Sequence, residues 1–262
     1  MDLGLKDKVA LVCGASKGIG YAVAEDLARE GASLAICARD PKALDDAAKR
    51  LARPGTSVLP VVADLSTEDG IRNAVARTLE RFARVDVLVT NTGGPPVGSP
   101  TGHDWPAWER AAELLLRSAV ELTRALVPGM RERKWGRVIG ITSRAVKQPV
   151  AGLVLSNSLR AAVTGYFRTL ADEVAADGVT VNTVMPGFTE TERLTDLAQT
   201  TAKRTGTTVE AVFDLYRAET PARRLGTPAE VAAMIVFLAS ARAGFVTGQA
   251  ILVDGGSVRA LL

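Results

Sequence analysis

The stretch of sequence that decides the fold is Gly14-Ala15-Ser16-Lys17-Gly18-Ile19-Gly20. It follows the apolar run 9–13, which has the length of one buried strand, and it leads into a helical pattern over 19–30 that ends at Gly31. Glycines at a strand-to-helix turn let the backbone approach a phosphate, and the first N–H groups of the helix point at it. The spacing G-x-x-x-G-x-G therefore predicts a dinucleotide phosphate site. Its predicted contacts are Gly14, Ser16, Lys17, Gly18, Ile19 and Gly20; a turn without a ligand is the alternative.

Short apolar runs alternate with helical patterns along the rest of the 262 residues. We predict strands over 9–13, 33–37, 57–62, 85–90, 137–142, 179–184 and 250–253, and helices over 43–51, 71–82, 105–130, 155–176 and 229–240. Near-continuous apolar strands separated by helices are typical of a parallel sheet covered on both faces. The sequence therefore predicts one α/β domain of the Rossmann type over residues 1–262, doubly wound, with a seven-stranded parallel sheet flanked by helices. Two boundary signals are expected: a capping box at Ser66 and Asp69, and a helix stop near Pro128-Gly129.

The segment 187–220 interrupts this alternation. It is polar and rich in threonine, with one possible helix over 209–218. Ligands of doubly wound folds bind beyond the carboxyl ends of the strands. We therefore predict that this segment is a substrate lid, with a surface excursion without function as the alternative.

Composition and charge exclude several classes of function. The net charge of +3 is small and the basic residues are scattered, which does not indicate nucleic-acid binding. No apolar run approaches the roughly 20 residues of a membrane span, and the charged segment 1–8 does not resemble a signal peptide. Cys13 and Cys37 fall late in predicted strands, which suits core positions in a reducing compartment. We expect a cytoplasmic protein that binds a small-molecule substrate and no metal.

Further candidate cofactor contacts follow the other strands. Arg39 stands at the end of the second predicted strand, where an acidic residue would contact the ribose hydroxyls of NAD(H) and an arginine suits a 2′-phosphate. Together with Lys17 it favours NADP(H) over NAD(H), although either base also suits an ordinary exposed position. The remaining predicted contacts are Asp64 and Leu65 after the third strand, Asn91, Thr92 and Gly93 after the fourth, and Pro186, Gly187, Thr189 and Thr191 after the sixth.

The carboxyl-terminal part of the chain carries strings that recur, in order and spacing, in a known family. They are Arg224-Leu225-Gly226-Thr227-Pro228-Ala229-Glu230-Val231-Ala232, Phe237-Leu238-Ala239-Ser240, Thr247-Gly248-Gln249 and Val253-Asp254-Gly255-Gly256. With the glycine loop and the turn at Asn91, they make the chain resemble the short-chain dehydrogenase/reductase family from about Leu5 to Gly256, and especially its β-ketoacyl-ACP-reductase-like branch. The resemblance implies a nicotinamide cofactor and a homotetramer or homodimer.

The same resemblance implies an atypical active site. The chemistry of the family uses an asparagine, a serine, a tyrosine that exchanges the proton, and a lysine that binds the nicotinamide ribose. Here Ser143 matches the serine, but Ser156 stands at the tyrosine position, Arg160 at the lysine position and Leu115 at the asparagine position. Arginine retains hydrogen-bond donors for a ribose, whereas serine is shorter than tyrosine and a much weaker acid. Lys147 is a second candidate for the proton source, unless it is an ordinary solvated lysine.

Two functions follow from these residues. The first is an NADP(H)-dependent oxidoreductase that reduces a 3-oxoacyl-like group or another ketone or aldehyde, or oxidises the alcohol, with the proton supplied through Ser156 and water or by Lys147. The alternative is a catalytically impaired NADP(H)-binding protein with a regulatory or structural role. A lyase or isomerase ranks below both. His103 and Tyr216 are further possible proton sources, while Tyr166 lies about three helical turns beyond Ser156.

Overall fold

Seven parallel strands form one sheet in the computed structural model, which describes residues 2–261. The strands are β1 (Val9–Cys13), β2 (Ser33–Ala38), β3 (Val58–Val62), β4 (Val87–Thr90), β5 (Gly136–Ile141), β6 (Val179–Pro186) and β7 (Ala250–Val253). Their order across the sheet is β3-β2-β1-β4-β5-β6-β7. The order reverses between β1 and β4, where Ala10 lies opposite Val87. The predicted fold class is therefore confirmed, and the reversal marks the crevice where such folds bind ligands.

Helices cover both faces of the sheet. They are α1 (Gly18–Arg29), α2 (Pro41–Leu51), α3 (Glu68–Phe82), α4 (Trp105–Ala112), α5 (Ser118–Glu132), α6 (Val154–Val174), α7 (Glu192–Thr205), α8 (Val209–Glu219) and α9 (Pro228–Ala239). In the described part of the chain, no helix is long and apolar enough to cross a lipid bilayer.

Alternate residues of each strand supply two cores. In β1, Ala10 and Val12 pack with α1, α2 and α9, whereas Leu11 and Cys13 pack with α3, α5 and α6. Burial of the central strands on both faces explains why they read as largely apolar runs. Cys13 lies opposite Cys37 in the register of β1 and β2, and both are buried free thiols, as expected of core cysteines.

Two predicted helix signals are wrong. The third helix is capped by Thr67, whose hydroxyl accepts a hydrogen bond from the Gly70 N–H at 3.0 Å. Ser66 donates its hydroxyl to the Asp64 carboxylate at 2.8 Å and is not available as a cap. The helix stop expected at Pro128-Gly129 also fails, because α5 continues to Glu132. The burial of Met130 in the core beneath the sheet favours that extra turn despite the missing proline N–H.

The predicted helix over 105–130 is interrupted by a π-helical turn, Glu113–Arg117, which separates α4 from α5. The segment 187–220, expected to be mostly irregular, contains two helices, α7 and α8. Sequence reasoning missed α7 because its apolar stripe is narrow: only Leu194, Ala198 and Ala202 are buried. Thr191, whose hydroxyl caps this helix, followed by that spacing of four, is the signal that identifies it.

Candidate active site

A cleft of about 1320 Å³ runs along the carboxyl ends of β1 to β6. This volume exceeds the roughly 300–1,000 Å³ that holds a drug-sized ligand, so the cleft has room for a dinucleotide and a substrate together. Every predicted cofactor residue except Gly20 lines it: Gly14, Ser16, Lys17, Gly18, Ile19, Arg39, Asp64, Leu65, Asn91, Thr92, Gly93, Arg160, Pro186, Gly187, Thr189 and Thr191.

The glycine loop has the geometry of a phosphate cradle. Gly14 and Gly18 both have φ near +60°, a conformation that side chains disfavour. A Cβ at Gly20 would lie 2.8 Å from the carbonyl carbon of Gly14, so glycine here lets α1 pack against the loop. Lys17 precedes α1 without a side-chain cap, so no side chain caps the first N–H groups of the helix. These donors fit a phosphate group.

Charged side chains lie at the end of the cleft opposite Ser143. Arg39 is exposed in the cleft and makes no ion pair with any residue between 2 and 261. Hydrogen bonds from the Ser66 N–H and hydroxyl, together with the positive charge of Arg39, hold the pKa of Asp64 below its usual value. Lys17 forms an ion pair with Glu192 of α7, which ties the glycine loop to the segment 187–220.

Ser143, Ser156 and Arg160 are brought together beside the end of β5. Ser143 accepts a hydrogen bond at Oγ from the Ala145 N–H at 3.1 Å, which leaves its hydroxyl proton free to be donated. Arg160 donates from Nε to the Ser156 hydroxyl at 3.2 Å, so the two side chains share one face of α6 as the spacing of four predicts. All three residues line the cleft.

The guanidinium of Arg160 is fixed by backbone carbonyls. Nη1 donates to the carbonyl of Ile141 at 3.0 Å and to that of Thr142 at 3.2 Å. Burial, and the nearby charge of Arg193, lower the pKa of Arg160 to about 10. Arg160 therefore stays cationic at neutral pH.

Arg193 is a cleft residue that sequence reasoning missed. It lies in the first turn of α7, lines the cleft, and donates from Nη2 to the carbonyl of Pro95 at 2.9 Å. Burial lowers its pKa. The available signal was a cation two residues after Thr191, at the start of the unrecognised helix.

The other suggested proton sources do not line the cleft. Lys147 is exposed at the end of the short helical turn that follows Ser143. Tyr166 is hydrogen-bonded to the Thr123 hydroxyl on α5 at 2.8 Å. Tyr216 stacks on Phe188, with ring centroids 4.2 Å apart. Sequence reasoning proposed Lys147 and Tyr216 as proton sources without contacts that would hold them in the site, whereas it placed Tyr166 about three helical turns beyond Ser156.

His103 and Leu115, two further residues that the sequence singled out, also do not line the cleft. His103 packs against Gly98, where a Cβ would collide with the imidazole ring, and it does not line the cleft. Leu115 is buried in the π-helical turn, while its neighbour Leu114 lines the cleft. An apolar side chain, Leu114, therefore lines the cleft at this turn.

Comparisons with known proteins agree with this geometry. A family model described as enoyl-(acyl carrier protein) reductase matches residues 14–258. The 3-oxoacyl-[acyl-carrier-protein] reductase FabG of Vibrio cholerae is 34% identical, over 97% of this chain and 98% of its own length. The (2S)-[(R)-hydroxy(phenyl)methyl]succinyl-CoA dehydrogenase subunit BbsC of Thauera aromatica is 37% identical, over 95% and 94%. The solved L-sorbose reductase from Gluconobacter frateurii, complexed with NADPH and L-sorbose, is similar over 100% of both chains, with a TM-score of 0.94 and 36% identity.

Proposed function

The chain belongs to the short-chain dehydrogenase/reductase family, close to its ketoacyl reductases, and we propose that it is an NADP(H)-dependent member with a non-standard proton relay. It is an oxidoreductase of the NAD(P)H-dependent carbonyl reductase and dehydrogenase type. The observation that carries the proposal is that Ser143, Ser156 and Arg160 line the same cleft as the glycine loop and Arg39. The proposed reaction reduces a ketone or aldehyde, including 3-oxoacyl-like groups, or oxidises the corresponding alcohol.

The preference for NADP(H) rests on Arg39. Because Lys17 is paired with Glu192, Arg39 is the cation that remains to bind a 2′-phosphate at the end of β2. The L-sorbose reductase of Gluconobacter frateurii is complexed with NADPH, which supports the same choice here. Gly14, Gly18 and the N-terminus of α1 hold the diphosphate, and Arg160 contacts the nicotinamide ribose.

The protein's own groups orient the substrate and move the proton. The nicotinamide, when bound, supplies or accepts the hydride. Ser143 donates a hydrogen bond from its hydroxyl to the carbonyl oxygen of the substrate and keeps its proton. The positive charge of Arg160 stabilises negative charge that develops on that oxygen. Ser156 accepts a hydrogen bond from Arg160, so its hydroxyl proton is directed away from the guanidinium; in the reduction this proton passes to the substrate oxygen and a solvent water returns one to Ser156.

The segment 187–220 acts as the lid in this proposal. Glu192 reaches across to Lys17, and Arg193 reaches across to the carbonyl of Pro95, so the start of α7 bridges the two sides of the cleft. Closure of such a bridge excludes water from the reacting atoms. The aromatic stack of Phe188 and Tyr216 joins α8 to the loop that follows β6.

The direct test is oxidation of NADPH with a panel of ketones, aldehydes and 3-oxoacyl thioesters, by the wild type and by Ser143→Ala. We expect measurable turnover for the wild type, and a loss of about 10²-fold or more in kcat for Ser143→Ala. NADPH binding without oxidation of any member of the panel contradicts an enzymatic role. The double variant Ser156→Tyr with Arg160→Lys should then raise the rate, with Ser156→Phe and Arg160→Lys as the control that lacks the phenol hydroxyl.

A second candidate function is a cofactor-binding subunit without turnover of its own. The observation that favours it is the commitment of Arg160 Nη1 to the carbonyls of Ile141 and Thr142, together with a serine at position 156. BbsC of Thauera aromatica is described as a subunit of a dehydrogenase, which offers a parallel. Tight NADPH binding, no turnover in the wild type and turnover in the Tyr/Lys double variant is the pattern expected of this candidate.

A further inference from the structure

Besides Arg39, two guanidinium groups in the cleft have no carboxylate partner within residues 2–261. Arg160 of α6 and Arg193 of α7 both line the cleft, and neither forms an ion pair with another residue in the range 2–261. Their recorded hydrogen bonds go to the Ser156 hydroxyl and to backbone carbonyls. Hydrogen bonds to neutral oxygens do not neutralise a charge, so this part of the cleft is electropositive.

The two arginines flank the substrate end of the cleft. Arg193 lies over Gly94, where a Cβ would come within 2.7 Å of its Cζ, so glycine at this position admits the guanidinium. Arg160 is held beside Ser143 by the carbonyls at the end of β5. Thr191, in the same segment 187–220 as Arg193, lies instead beside the glycine loop. Its Cγ2 is 3.5 Å from the point where a Cβ on Gly18 would be.

Two of the carboxylates that line the cleft are already committed. Glu192 is paired with Lys17, and Asp64 accepts hydrogen bonds from Ser66. Burial lowers the pKa of Arg193, and the charge of Asp196, one turn further along α7 and beyond ion-pair distance, offsets only part of that shift. Burial and, after it, the proximity of Arg193 lower the pKa of Arg160, so the two cations lie close enough to repel each other.

We propose that Arg160 and Arg193 form an oxyanion site that binds a carboxylate of the substrate. The substrate class is then an oxo acid or hydroxy acid, with its carbonyl or hydroxyl at Ser143 and its carboxylate between the two guanidiniums. Arg160 Nη2 and Arg193 Nε and Nη1 make no other hydrogen bond within residues 2–261 and supply charge-assisted hydrogen bonds to a carboxylate, which a neutral substrate lacks. This inference rests on the proposed function; a phosphate of the cofactor has the same chemistry and is the competing source of the anion.

The test measures binding, not turnover. Acetoacetate and levulinate, each beside its neutral amide, are titrated calorimetrically into the wild type, with and without saturating NADP⁺. We expect each acid to bind about tenfold or more tightly than its amide. Arg193→Gln should remove that preference and leave the Kd for NADPH within about twofold of the wild type. Arg193→Lys should retain part of it. Lys203→Gln removes a positive charge from an exposed position on the same helix and should leave both quantities unchanged.

Each outcome separates the sources of the anion. If Arg193→Gln raises the Kd for NADPH by about tenfold and leaves the ratio of the acid Kd to the amide Kd unaltered, the anion is a cofactor phosphate and the substrate assignment is wrong. If neither quantity changes, no oxyanion site exists at this pair. If the wild type does not bind NADPH at all, the proposed function is wrong. That result can be told apart from a failure of the carboxylate site, because the acids are also titrated without cofactor.

Discussion

Replacing Gly20 with alanine tests whether α1 must touch the glycine loop for the cofactor to bind. A Cβ at this position would lie 2.8 Å from the Gly14 carbonyl carbon, closer still to its oxygen, and 3.0 Å from Asn91 Nδ2. Ordinary van der Waals contact begins at 3.4 Å. The obstacle is backbone, which cannot rotate away, so either the loop or the start of α1 must move.

The structure sets the size of the effect. Overpacking of this kind costs about 1–3 kcal/mol of unfolding free energy, and each kcal/mol lowers the Tm of a chain of this size by about 2–4 °C. Displacement of the loop also removes donors aimed at the phosphates. Loss of one hydrogen bond to a charged group costs about 1.5–3 kcal/mol, which is about tenfold to a hundredfold in Kd. We therefore expect Gly20→Ala to raise the Kd for NADPH by at least about tenfold.

The assay is a fluorescence titration of NADPH well below the Tm, with thermal unfolding measured in parallel. Gly165→Ala is the matched control, because Gly165 is exposed within α6 and a Cβ there meets nothing within 4 Å. That variant should keep the wild-type Kd and gain about 1 kcal/mol from the higher helix propensity of alanine. Wild-type affinity for NADPH in a folded Gly20→Ala protein would refute the reasoning, because it would mean that the loop geometry does not determine binding.

Three other changes follow from the structure. Arg39→Ala should weaken the binding of NADPH by about tenfold or more in competitive titrations and leave the binding of NADH unchanged. The reason is that the substitution removes only the contact to the 2′-phosphate, which NADH does not carry. Equal weakening of both would argue against a phosphate contact. A hydrogen bond from Arg224 lowers the pKa of Glu230 from 4.5 to about 2. The Glu230 carboxylate therefore stabilises the fold above pH 4.5, and the stability gap between wild type and Glu230→Gln should close in urea titrations as the pH falls towards 2. Asp86→Asn should cost about 1.5–3 kcal/mol in urea unfolding, because the fully buried Asp86 carboxylate accepts charge-assisted hydrogen bonds from Arg84 and a bond from the Val9 N–H.

The sheet was predictable because its central strands β1, β4, β5 and β6 are buried on both faces. Such strands are largely apolar, so their positions are visible in the sequence without knowledge of their neighbours. Their ends fix the cleft, which is why residues as far apart as Gly14 and Pro186 were correctly expected to line it together. The reversal of strand order at β4 follows from the family resemblance and from the crossover rule.

Contacts between distant segments were not predictable. The ion pair of Lys17 and Glu192 joins residues 175 positions apart, and it depends on the path of a helix that the polar sequence of α7 conceals. Arg193 was missed for the same reason. Pro128 shows the converse error, since a strong local signal was overridden by the burial of Met130. In each case tertiary packing, which single-sequence patterns do not contain, decides the outcome.

The late arrival of β4 has a consequence for the protein during synthesis. The pairing of Ala10 with Val87 means that β1, β2 and β3 leave the ribosome before the strand that closes the other edge of β1. Until then an apolar edge of five residues, all buried in the finished protein, is open to pairing with another nascent chain. The bond from Asn91 to the Gly14 carbonyl forms only after β4 is in place. The cofactor therefore finds its cradle complete only when this edge of β1 has been covered.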